Sequence, residues 1–176
     1  MMRSRPDTEL RRALSTEAAY LRRFARSLVN DPAVADDLVQ DTLERAISRS
    51  HLFDKSRELR PWLYRILRNL NISQYRRIRQ RGVHVALDTV TDAALAAEPV
   101  HVNGLMVRDI SKALDMLPYE QREVLVLVAL EGMKYREVAD VLGIPIGTVM
   151  SRLSRARERL RELLDYPAQK TIRRVK

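Results

Sequence analysis

KYREVADVLGIPIGTVMSRLSRARERL, residues Lys134 to Leu160, decides how the chain is read. Its first half places Tyr135, Val138, Ala139 and Leu142 at i, i+3, i+4 and i+7, a single buried face of a short helix. Ala139 is small enough to let a second helix approach closely. Gly143 falls where the chain must turn sharply, and glycine accepts a positive φ without steric cost. Pro145 then suits a helix start. In the second half Val149, Leu153, Ala156 and Leu160 make the apolar stripe. Thr148, Ser151, Arg152, Ser154, Arg155 and Arg159 are left on the other faces. Hydroxyls and guanidiniums so placed reach base edges and phosphates in a DNA major groove. The pattern predicts a helix-turn-helix with a DNA-reading second helix. The alternative is a plain helical hairpin with a solvated basic face.

Upstream of this segment the helical spacing continues. Ile110, Ala113, Leu114 and Leu117 mark a helix stopped by Pro118, and Tyr119 to Glu131 carries Val124, Leu125, Leu127, Val128 and Leu130. Nearer the N-terminus Tyr20, Leu21, Phe24, Ala25 and Leu28 form another stripe. Asp31 is a natural N-cap with Pro32 at the first helical position. The next helix buries Val34 or Ala35, Leu38, Thr42 and Ala46, leaving Asp36, Asp37, Asp41 and Glu44 on other faces. A third, opened by Pro61, has the stripe Trp62, Leu63, Ile66, Leu67 and Leu70 and the basic tail Tyr75 to Arg81. Between Arg81 and Arg108 there is no lysine or arginine, while Asp88, Asp92 and Glu98 are present. Residues 82–105 therefore read as a flexible acidic linker, the alternative being a loop with one short helix inside a single domain. The expected fold is all-α: a short N-terminal extension (1–15), a helical domain (16–81), the linker, a second helical domain with the helix-turn-helix (106–165), and a basic tail (166–176).

Composition narrows the function. With 45% hydrophobic residues the chain is not disordered throughout, and the absence of cysteine excludes disulfides and thiolate metal sites. His51, His84 and His101 lie too far apart for a helical metal pair, and no cofactor is implied. Met1 to Leu14 has no apolar core of a secretory signal, and no stretch approaches the roughly 20 apolar residues of a membrane span. The cytoplasm is the expected compartment. A formal net charge of +9 points to an anionic partner, nucleic acid before acidic lipid. No strand-helix-strand pattern, glycine-rich phosphate loop or nucleophile–base cluster is present, so no catalytic residue is assigned and the chain does not read as an enzyme.

Three segments in fixed order carry a family resemblance: ADDLVQDTLERA (Ala35 to Ala46), RPWLYRILRNLNISQYRR (Arg60 to Arg77), and Leu117 to Leu160 with its helix-turn-helix. Together they resemble the extracytoplasmic-function sigma factors of bacterial RNA polymerase, over nearly all of Thr16 to Leu163, with nothing expected before or after the two domains. The resemblance implies an initiation factor that joins core polymerase, recognises and melts a promoter, and serves a specific stress-response regulon. Asp37, Leu38, Gln40, Asp41 and Thr42 would then dock on the β′ clamp helices. Phe53, Asp54, Lys55, Arg60, Tyr64, Arg68, Asn69, Tyr75, Arg76 and Arg77 would meet the minus-ten element. Stacking by Tyr64 and Tyr75 would trap unpaired bases, and the arginines would hold phosphates. Trp62 is assigned to the core.

In the second domain Thr148, Ser151, Arg152, Arg155 and Arg159 would read the minus-thirty-five element, and the apolar helices around Leu114 and Val124 to Val128 would hold the β-flap tip. Met150 stands where many relatives carry a basic residue, and it offers no bidentate base contact. The linker would thread the polymerase active-site and RNA-exit path. An anti-sigma factor is an expected partner; membrane insertion is not. A sigma-like decoy that titrates an anti-sigma factor, or a helix-turn-helix regulator of another kind, would share part of this pattern.

Overall fold

The computed structural model of the chain describes residues 5–29, 31–54, 56–80 and 104–172. Every regular element among them is helical, and the chain divides into two compact units. The linker expected at 82–105 lies outside the described residues except for its last two positions, which open a helix.

The first unit is built from α1 (Arg5–Leu28), α2 (Pro32–Ser48), a 3-10 turn at Ser50–Leu52, and α3 (Leu59–Gln80). Each long helix packs on the other two. Asp31 starts α2 as its composition predicts: the carboxylate accepts hydrogen bonds from the amides of Ala33 (2.8 Å) and Val34 (3.4 Å), and Pro32 follows in the first turn. Such a cap contributes about 1 kcal/mol. The core is lined by Leu21, Phe24, Ala25 and Leu28 of α1, Ala35, Leu38, Val39 and Ala46 of α2, and Leu63, Tyr64 and Leu67 of α3. Phe24 and Tyr64 meet with ring centroids 4.8 Å apart in a tilted arrangement.

Two expectations change here. α1 begins at Arg5 and buries Leu14, so it crosses the boundary drawn between an N-terminal extension and the first domain. The stripe read in α3 is also one step out of phase. Leu63 and Leu67 are fully buried, but Trp62, Ile66 and Leu70 are only half-buried, and the helix turns Tyr64 and Asn71 inward instead.

Arg60 joins α1 to α3. Its Nε donates to Glu17 Oε2 at 2.6 Å and its Nη2 to Glu17 Oε1 at 3.3 Å. The guanidinium carbon lies 3.5 Å from the centre of the Tyr20 ring. The hydrogen bond to Glu17 outweighs the cost of partial burial and raises the guanidinium's affinity for its proton above the ordinary value.

The second unit carries α4 (Gly104–Asp115), α5 (Tyr119–Ala129) and α7 (Ile146–Ile172), with α6 (Tyr135–Leu142) between α5 and α7 in the chain. α7 packs against both α4 and α5. Among the buried residues of this unit are Ala113, Leu117, Val124, Leu125, Val126 and Leu127, with Val149, Leu153 and Ala156 from α7. Arg122 closes the end of α4, donating from Nη2 to the carbonyls of Asp115 (2.7 Å) and Leu117 (3.3 Å). Those carbonyls have no partner within the helix, so a side-chain donor satisfies them. Burial lowers the Arg122 pKa and raises that of Asp115, with the charge of each partner opposing the shift. α7 runs to Ile172, past the end at 165 assigned to the second domain.

The turn between α6 and α7 follows from local chemistry. Glu137 accepts a hydrogen bond from the amide of Lys134 at 2.8 Å, half of a capping box at the start of α6. At its end Gly143 takes φ of 65°, and the Ile144 amide donates to the Ala139 carbonyl at 3.1 Å. This is the six-to-one bond of a Schellman cap. A Cβ at Gly143 would meet nothing within 4 Å, so the cost of substitution is backbone strain alone. Gly143→Ala is expected to lower stability by about 1–2 kcal/mol, read as a shift in the urea midpoint with an unchanged slope.

Candidate nucleic-acid interface

α7 separates its faces cleanly over its first three turns. Val149, Leu153 and Ala156 are buried. Thr148, Arg152, Arg155 and Arg159 recur at i, i+4, i+7 and i+11, one line along the helix. Thr148 and Arg152 are half-buried, Arg155 and Arg159 exposed. Ser151 is exposed, its hydroxyl donating to the Thr148 carbonyl at 3.1 Å. Arg159 pairs with Glu162 at 2.8 Å, whereas Arg152 and Arg155 make no ion pair among the described residues. The predicted minus-thirty-five set is thus brought onto one accessible surface, with Arg155 the cation most open to a phosphate or a guanine edge.

The predicted minus-ten set is more divided. Tyr75, 49% exposed, and Arg76 and Arg77, both exposed, lie in the last turns of α3 with side chains accessible. Asn69 is exposed one and a half turns earlier, and Arg68 is half-buried. Phe53 packs on Trp62, ring centroids 5.0 Å apart, so the two rings brace the loop before α3. Asp54 shapes that loop: its carboxylate accepts from the Ser56 hydroxyl (2.7 Å) and amide (3.0 Å), which hold its pKa below the ordinary carboxylate value. Lys55 lies outside the described residues.

Tyr64 requires correction. It is fully buried against Phe24, so its ring fills the core and is not available to stack on a base. Arg60 is held by Glu17 and Tyr20, and is not a free surface cation. Arg65 was passed over in the sequence; it is exposed one turn before Asn69, and its i, i+4 spacing to Asn69 was the available signal.

The α2 set divides in the same manner. Asp37, Gln40 and Asp41 are exposed. Gln40 donates to Glu44 at 3.0 Å, and Gln74 donates to Asp41 at 3.4 Å. Leu38 and Thr42 are fully buried, the Thr42 hydroxyl donating to the Leu38 carbonyl at 2.7 Å. Both belong to the core and are removed from the docking surface. No helix among the described residues is long and apolar enough to cross a membrane.

Comparison with known proteins gives the family. Residues 108–160 match the family model for sigma-70 region 4, and residues 14–68 match that for the sigma2 domain of PhyR. A chain combining the two is of the bacterial sigma factor class. It is 40% identical over 161 residues to the ECF RNA polymerase sigma factor EcfG of Rhodopseudomonas palustris, covering 88% of both chains. Among solved structures, the sigma factor RpoE, in complex with the anti-sigma factor NepR from Bartonella quintana, superposes with a TM-score of 0.76 at 40% identity, over 89% of this chain and 97% of that one. CnrH, in complex with the cytosolic domain of CnrY, gives a TM-score of 0.65 at 31% identity, over 88% and 86%. The chain belongs to the extracytoplasmic-function (ECF) sigma factors, and its function is to direct transcription initiation.

Proposed function

We propose that the two helical units divide the work of initiation by residue. The first joins core RNA polymerase through the exposed acidic and amide face of α2, Asp37, Gln40 and Asp41, docked on the β′ clamp helices. It meets the minus-ten element through Phe53, Asp54 and Lys55 in the loop and Arg65, Arg68, Asn69, Tyr75, Arg76 and Arg77 on α3. The second holds the β flap and reads the minus-thirty-five element through Thr148, Ser151, Arg152, Arg155 and Arg159. The acidic segment 82–105 runs through the polymerase between them. The chain acts in the cytoplasm, supplies no catalytic residue, is restrained by an anti-sigma factor, and serves a stress-response regulon.

The observation that carries this reading is the line of Thr148, Arg152, Arg155 and Arg159 running beside a fully buried stripe on α7. Such a helix presents cations and hydroxyls together at the spacing of a groove reader. Its test is run-off transcription from fragmented genomic DNA with sigma-free core polymerase. Discrete new transcripts that depend on the protein, and disappear with Arg152→Ala and Arg155→Ala together, are expected. Polymerase binding without any transcript would instead indicate a decoy, and loss of both would remove the polymerase partner.

A further inference from the structure

The outward surface of α7 is not uniformly polar. Ile146 and Met150, one turn apart, are 44% and 49% exposed. On a helix of 3.6 residues per turn they share a flank, roughly 40° apart, while Thr148, Arg152, Arg155 and Arg159 run down the other flank. Ser151 and Ser154, both exposed, lie between the two. Single exposed apolar side chains are ordinary. The placement of this pair is what distinguishes it. Both occupy the first two turns of α7, the part of a recognition helix that reaches base edges. The exposed Arg157 lies about two turns beyond Met150 on the same flank, and Arg155 lies on the other; their positive charge attracts phosphates.

Neither side chain can donate or accept a conventional hydrogen bond to a base. The apolar group that a major groove offers is the C5-methyl of thymine. We propose that Ile146 and Met150 form a methyl-reading strip, selecting thymines in the minus-thirty-five element beside the positions read by Ser151 and Arg155. This rests on α7 being the promoter-reading helix. The two residues suit the task differently. Ile146 is stiff at χ1 and fixes one contact, while the unbranched thioether of Met150 adapts to the local groove.

The test uses holoenzyme reconstituted from core polymerase and the full chain, with a promoter fragment mapped from its own run-off transcripts. The fragment is prepared in native form, with every thymine of the minus-thirty-five element on both strands replaced by deoxyuridine, and with that element scrambled. Deoxyuridine keeps every hydrogen-bonding group and lacks only the methyl. Binding is expected to weaken about four-fold per contacted methyl. Met150→Ala, confirmed as folded by circular dichroism, is expected to bind the native fragment more weakly and to lose much of the sensitivity to deoxyuridine. Equal binding of native and deoxyuridine fragments by the wild type overturns the methyl-reading strip while leaving promoter reading by α7 intact. Undiminished deoxyuridine sensitivity in both Met150→Ala and Ile146→Ala also overturns it. Equal binding of native and scrambled fragments overturns the promoter-reading role itself, and the strip with it.

Discussion

Tyr64→Ala is expected to lower the stability of the first helical unit by about 3–5 kcal/mol, the usual cost of truncating a large buried aromatic residue. The ring is fully buried and packs on Phe24 between α1 and α3, so its removal leaves a cavity where two helices meet. A domain of this size has about 5–15 kcal/mol in total, and the loss is a large share of it. Urea unfolding, followed by helical circular dichroism, should show an early transition that moves to lower denaturant. Tyr64→Phe keeps the ring and should stay much closer to the wild type. An unchanged unfolding profile for Tyr64→Ala, with promoter melting lost, would restore the stacking role assigned from the sequence.

The second large effect concerns association. Asp37 and Asp41 are exposed on α2, so Asp37→Lys with Asp41→Lys should change stability by no more than about 0.5 kcal/mol per site. Placing two cations against a basic partner surface costs several kcal/mol. Core-polymerase affinity is therefore expected to fall by on the order of 100-fold or more. Competition with the wild-type chain for core polymerase measures this directly. Affinity within a few-fold of wild type would exclude this face of α2 as the docking surface.

These two cases show what the sequence made legible. Helix identity and order follow from local chemistry, and Asp31, Pro32, Pro118 and Gly143 each act within a few residues of their own position; the starts of α1 at Arg5 and of α3 at Leu59, two residues before Pro61, carry no such local mark. The helix-turn-helix was readable for the same reason: small, apolar and turn residues fall at fixed short spacings. The phase of α3 was not. Leu63 and Leu67 are consistent with two neighbouring stripes, one through Trp62, Ile66 and Leu70 and one through Tyr64 and Asn71. The choice depends on which side of α3 faces Phe24, a contact between residues distant in sequence. Amphipathic rings are ambiguous because they offer an apolar body and a polar tip. Arg60 was misread for a similar reason, since the sequence shows a cation and conceals Glu17, far earlier in the chain. Leu38 and Thr42 carried a family role although their apolar spacing already placed them in the core.

The pairing of Arg60 with Glu17 has a consequence for how ionic strength should act on promoter binding. A lysine or arginine that approaches DNA as a free cation displaces condensed counterions, and each such displacement steepens the fall of affinity with salt. Arg60 is already neutralised by a carboxylate 2.6 Å away. It adds little to that slope while the pair holds, and α3 should show a weaker salt dependence than its arginine count suggests. The ions released from the minus-ten region would then be those displaced by the exposed arginines farther along α3.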